Sequence, residues 1–209
     1  MTAAPLRYSL LTLTLALAAC GTTSNLQRSP SADAGASASA VETAALDFSR
    51  YSEVLVRDFV NQNSLQPEDA AAREALTAST DAACKRFADL IAEDLRKDGA
   101  FATVRREGEP TSDTLVIEGV VSRFDPSNPV KRIVPLVGSA EFDARVAFLD
   151  GLSGAELSFI AVDKNSSLLG GSMAAIQTVD TLLKSAAGKV SRETARAKKG
   201  LPADAQPRH

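Results

Sequence analysis

The side chains most often used for acid–base, nucleophilic or metal chemistry are few in this 209-residue chain: two cysteines, one histidine and 26 acidic residues. The histidine is His209, the last residue, so no Ser-His-Asp or Cys-His arrangement is expected inside a folded domain. A zinc site draws on several Cys, His or acidic ligands. Only the thiol of Cys84 is available within the globular part, so neither a metal nor a cofactor is expected. Cys84 falls on an apolar helical stripe, which points to a packing role, because a reactive thiol needs exposure and a lowered pKa. Among the carboxylates, Asp143 and Asp150 are the pair to weigh for acid–base work. Strand alternation puts Glu141, Asp143 and Arg145 on one face and Asp150 in a hairpin, so they are not predicted to converge. A carboxylate-type hydrolase stays open as a rival reading; the leading expectation is that the chain is not an enzyme.

The other thiol has a different setting. Residues Tyr8 to Ala19 are almost wholly Leu, Ala and Thr, preceded by a single charge at Arg7. A dozen apolar residues suits a signal-peptide core, whereas a spanning helix needs about 20. The run closes on Leu17-Ala18-Ala19-Cys20, followed by Gly21-Thr22-Thr23-Ser24. This arrangement resembles the lipobox of bacterial lipoproteins. The resemblance implies that residues 1–19 are removed as a signal peptide and that the Cys20 sulfur carries a diacylglyceryl group. At about 0.8 kcal/mol per buried CH₂, two or more acyl chains anchor a protein durably. Gly21, in place of an aspartate after the cysteine, resembles the pattern sorted to the outer membrane.

The formal net charge is −3 and becomes −4 once Arg7 is lost with the leader. That balance argues against a nucleic-acid partner, which calls for a strong basic excess. Residues 21–45 are dominated by Ser, Ala, Thr and Gly, with Pro30 the only proline. So few large apolar side chains cannot offset ordering entropy, and 20–45 is predicted to be a lipidated, disordered linker with a reach of roughly 25–30 Å.

Residues 46–200 read as one α+β domain. The first strand is predicted over Tyr51–Val60. Pro67-Glu68-Asp69 has the composition of a helix's first turn. A stronger helix is predicted from about Thr80 to Asp98, with Cys84, Phe87, Ala88, Ile91 and Leu95 on one face and Gly99 as terminator. Phe101–Arg105 follows as a strand parallel to the first. Leu115–Phe124, apolar on both faces with Gly119 interrupting, suits the middle of the sheet. Phe142, Ala144, Val146 and Phe148 alternate with charged residues and predict a strand with one wet face. A hairpin at 150–154 returns the chain as Glu156–Val162. Ser172 is a candidate N-cap for a last helix carrying Ile176, Val179, Leu183, Ala187 and Val190, whose apolar stripe fades at Thr194. Residues 201–209 are predicted to be a disordered tail.

Two surfaces on this fold are candidate contacts. Lys189, Arg192, Arg196 and Lys199 recur at helical spacing and form a basic stripe suited to anionic lipid, glycan or a partner's acidic face. Ile133, Leu136 and Val137 lie in an apolar run led by Lys131-Arg132 and broken by Pro135. They are either an exposed patch for a partner or an irregular strand entry.

From the third strand onward the chain resembles a family of bacterial lipoproteins known only as domain of unknown function 4410. The resemblance rests on Ser112-Asp113-Thr114-Leu115-Val116-Ile117-Glu118-Gly119, Arg132, Gly138-Ser139, Leu149-Asp150, Ser153-Gly154 and Leu157, and is expected to extend over 50–195. It implies an envelope location and this fold, and no activity. The expectation is a mixed sheet of about five strands carrying two long helices. Its partners would be the membrane, through the lipid, and another envelope protein at the periplasmic or outer face of the outer membrane.

Overall fold

The computed structural model describes residues 26–28, 47–126, 140–165 and 178–201. Two helices cover one face of a mixed sheet, as expected. Seven strands enter the sheet: β1 (Leu26–Arg28), β2 (Glu53–Val56), β3 (Val60–Asn61), β4 (Thr103–Arg105), β5 (Thr114–Asp125), β6 (Glu141–Asp150) and β7 (Glu156–Asn165). The strand order is β1-β7-β6-β5-β2-β4, and β3 pairs with β5 beyond the end of β2. The β5–β6–β7 meander and the β1–β7 pair are antiparallel. β2 lies parallel to both β4 and β5.

Three departures from the expected strands have local causes. The predicted first strand is two pieces, because Val56 faces Ile117 while Val60 faces Val120. The β2–β3 stretch takes an extra residue there, as in a bulge, and Arg57 N–H still donates to the Ile117 carbonyl at 2.8 Å. Leu26–Arg28, inside the stretch expected to be a disordered linker, pairs with Ile160, Phe159 and Ser158 of β7. The return strand runs on to Asn165, three residues beyond Val162.

Helix α1 spans Ala70–Asp98 as one 29-residue element, not a short turn followed by a helix from Thr80. Asp69 is its N-cap, accepting from the Ala72 amide at 2.7 Å. Good helix formers at 70–76 carry its exposed first turns. From Thr80 the expected stripe packs: Cys84, Phe87, Ala88, Ile91 and Leu95 are all buried. Gly99 ends the helix in the left-handed region at φ 71°, its N–H reaching Leu95 O at 3.2 Å.

Helix α2 spans Val179–Lys198, with Thr178 as N-cap in place of Ser172, which lies outside the described residues, as does Ile176. Leu183, Ala187 and Val190 are buried as the spacing predicts, Val179 is half-buried, and Leu182 and Ala186 are buried beside them. Burial continues where the hydrophobic signal fades. Thr194 and Ser191 are enclosed, with Thr194 Oγ1 donating to Val190 O at 2.7 Å and Ser191 Oγ to Ile91 O of α1 at 3.3 Å. Small side chains with a local acceptor let the two helices approach closely.

The helix-facing side of the sheet follows the alternation: Val54 and Val56, Leu115, Ile117 and Val121, then Phe142, Ala144, Val146 and Phe148, then Ile160 and Val162. Phe87 of α1 stacks between Phe59 and Phe142, with ring centroids at 4.8 and 4.9 Å. A fully buried aromatic of this kind contributes roughly 1.5–3 kcal/mol through removal from water. Gly119 keeps this face closed: a Cβ there would overlap the Arg145 carbonyl oxygen and press on the Phe59 ring. Among the described residues, no helix is long and apolar enough to cross a membrane.

Candidate functional site

The two aspartates of β6 weighed for acid–base work, Asp143 and Asp150, sit in different surroundings. Asp150 follows the alternation of Phe142, Ala144, Val146 and Phe148, so its carboxylate turns to the helix-facing side at the sheet's end. Its Oδ1 accepts from Leu152 N at 3.1 Å, Ser153 N at 2.8 Å and Ser153 Oγ at 2.9 Å. Its Oδ2 accepts from the Tyr51 hydroxyl at 2.9 Å and from the Arg50 guanidinium. The Ser153 amide, the Ser153 and Tyr51 hydroxyls and the nearby Arg50 charge hold its pKa down at about 2. Tyr51 is itself buried, and burial raises its phenol. Arg50 and Tyr51 escaped the sequence reading, since nothing about residues 50–51 signals a partner a hundred residues away. A carboxylate with both oxygens engaged and its charge held this firmly binds the chain's entry to the β6–β7 hairpin, and it is poorly suited to exchanging protons near neutrality.

Asp143 lies on the opposite side of the sheet and does not meet Asp150. Its cross-strand partner on β7 is Asp163. Burial raises its pKa first, then the Asp163 charge. The neighbouring positions are ion-paired: Arg123 with Glu141, and Arg145 with Glu156 at 2.5 Å. Arg145 also lies over the Phe159 ring, 4.4 Å from its centroid. Among the described residues, no group of three or more Cys, His, Asp or Glu side chains is placed to hold a metal ion.

The basic residues of α2 do not form one free stripe. Lys199 pairs with Asp98 of α1 at 3.2 Å. Arg192 is exposed, and its guanidinium and the Asp94 carboxylate of α1 both border Gly188. Lys189 and Arg196 are half-buried. Burial lowers the Lys189 pKa, and the nearby Lys164 ammonium of β7 adds to the effect. The stripe therefore divides, with Arg192 and Lys199 toward α1's acids and Lys189 toward Lys164 of β7. Cys20, Ile133, Leu136 and Val137 lie outside the described residues. Cys84 is buried at 3 % exposure, and burial pushes its thiol up to about 11, with Asp81 and Asp58 adding to the rise.

A two-helix layer on a mixed sheet, with a hairpin locked by Asp150, defines a small α+β domain. The chain belongs to the family described as Domain of unknown function (DUF4410), whose match covers residues 54–171. That span ends before α2 and is narrower than the expected 50–195. It includes Gly119 and Asp150, so two residues of the family pattern have structural duties here: close strand approach and hairpin locking. No curated protein matches the chain. Among solved structures, it is similar to the PelC dodecamer from Paraburkholderia phytofirmans, at 16 % identity, 70 % of this chain, 91 % of that one and TM-score 0.44. It is also similar to a DUF330 protein from Xanthomonas campestris, at 13 % identity, 70 % and 86 % coverage and TM-score 0.45. At these identities and scores the likeness bears neither on activity nor on partners.

Proposed function

We propose that this protein is an envelope lipoprotein, anchored by acyl chains on Cys20, whose α+β domain is a non-enzymatic docking or structural module. The observation that carries this reading is Leu17-Ala18-Ala19-Cys20-Gly21 at the end of a short apolar run. Gly21 favours the outer membrane over retention at the inner one. A non-enzymatic role is supported by how the described carboxylates are used: Asp150 is engaged at both oxygens, and Glu141 and Glu156 are ion-paired. The partner is the membrane itself, together with another envelope protein. Mass spectrometry of the mature N-terminus should find a modified Cys20, and Cys20→Ser should move the protein out of the membrane fraction. An unmodified N-terminus would end the reading.

A second reading is favoured by the exposure of Arg192: the outer face of α2 meets anionic lipid or glycan. Reversing the charge of Arg192 and Arg196 together should then weaken binding to anionic vesicles.

A further inference from the structure

The lipid anchor and the sheet are joined by less free chain than the composition implies. Only Gly21-Thr22-Thr23-Ser24-Asn25 separates Cys20 from Leu26, where β1 begins on the edge of β7. Fully extended, that piece spans about 20 Å, and as a flexible coil its r.m.s. reach is roughly 12–15 Å. A tether running free from Cys20 to Asp47 would reach about twice as far. Arg28 and Phe48 lie at the same end of the sheet. Arg28 pairs with Ser158, Ser158 pairs with Phe148, and Phe148 packs on the Phe48 ring at 5.3 Å.

We propose that β1 pins the tether to the β7 edge, so that the acyl chains on Cys20 hold the flank made by β7 and α2 against the headgroups of a bilayer. The proposal rests on the lipoprotein reading. Charge on that flank suits the occupant. α2 lies toward the β7 side of the sheet, and its Lys189 is close enough to Lys164 of β7 for their ammonium groups to repel. Basic groups on this flank suit an anionic surface, which attracts them.

The acylated full chain tests this in phosphatidylethanolamine vesicles containing phosphatidylglycerol. A donor dye on Ser185→Cys of α2 reports energy transfer to a headgroup-labelled acceptor, since buried Cys84 labels slowly. Inserting about twelve Gly and Ser residues between Thr23 and Ser24 lengthens the pinned tether's r.m.s. reach roughly 1.7-fold, so transfer should fall. The same insertion within 29–46 should leave transfer unchanged. Replacing Leu26, Gln27 and Arg28 with glycine should make the two insertions equivalent. Equal loss from both insertions in the otherwise native chain would overturn the proposal, and so would no loss from either. An N-terminus without acyl groups in the same preparation would instead remove the lipoprotein reading beneath it.

Discussion

Asp150 and Asp143 lie on the same strand, seven residues apart, and the fold treats them in opposite ways. The odd spacing puts them on opposite faces of β6, so one looks toward the helices and the other away. Asp150 is the less exposed, at 9 %, yet its pKa falls to about 2. Asp143 is more exposed, yet its pKa rises. Burial is the largest cause of the rise at Asp143, with the Asp163 charge next, whereas at Asp150 the donors outweigh it. Backbone and hydroxyl donors converge on Asp150, whereas Asp143 faces a second carboxylate across the strand pair. Burial alone does not make a carboxylate protonate; burial without donors does.

The largest expected break in the comparison is Asp150→Ala. It leaves Tyr51, Arg50 and two hairpin amides without their acceptor, and a loss of roughly 3 kcal/mol is expected in chemical denaturation. Tyr51→Phe removes one donor from an oxygen that keeps Arg50. It should cost about 1 kcal/mol, because the remaining guanidinium still satisfies Asp150. If Tyr51→Phe costs as much as Asp150→Ala, the phenol is carrying the site and the amides are not.

Ser158 sharpens the same point with an uncharged group. It is fully buried on the helix-facing side, opposite Phe148, and its Oγ has no hydrogen-bond partner among the described residues. Ser158→Ala should therefore stabilise the protein by about 0.5–1 kcal/mol in thermal unfolding. A loss instead of a gain would mean that the hydroxyl is satisfied in solution.

The strands and the packed half of α1 were legible because alternation and helical spacing express burial directly, as in Phe142 to Phe148 and Cys84 to Leu95. What the sequence hid was structure without a hydrophobic signature. Residues 70–79 of α1 are mostly exposed and so carry no stripe, and Ser191 and Thr194 are buried but polar. The three residues of β1 sit in a stretch whose composition is that of a coil. The Asp150 cluster was half visible. Asp150 and Ser153 lie in one hairpin and fit an Asx-type turn, but Arg50 and Tyr51 come from the far end of the chain, and no local spacing encodes that meeting. The basic stripe was legible as a spacing only; its division between α1's acids and Lys164 is set by where the helices dock.

The smallest expected effect is at Asp143, and its sign is what matters. Asp150 titrates in the folded protein below the ordinary carboxylate value of about 3.9. Its contribution to stability is therefore present above about pH 4 and is lost as pH falls toward 2. Asp143 titrates above its ordinary value, so its charge works against the fold once pH rises through that value, and acid relieves it. Asp143→Asn should then stabilise the protein by a few tenths of a kcal/mol at pH 7, and the gain should vanish as the pH drops below about 4. Denaturation of the wild type and the variant across pH 3–7 reads this difference. A gain that persists unchanged at the acid end would mean that Asp163 does not act on Asp143 as a charge, and that the contrast between the two faces of β6 is one of packing alone.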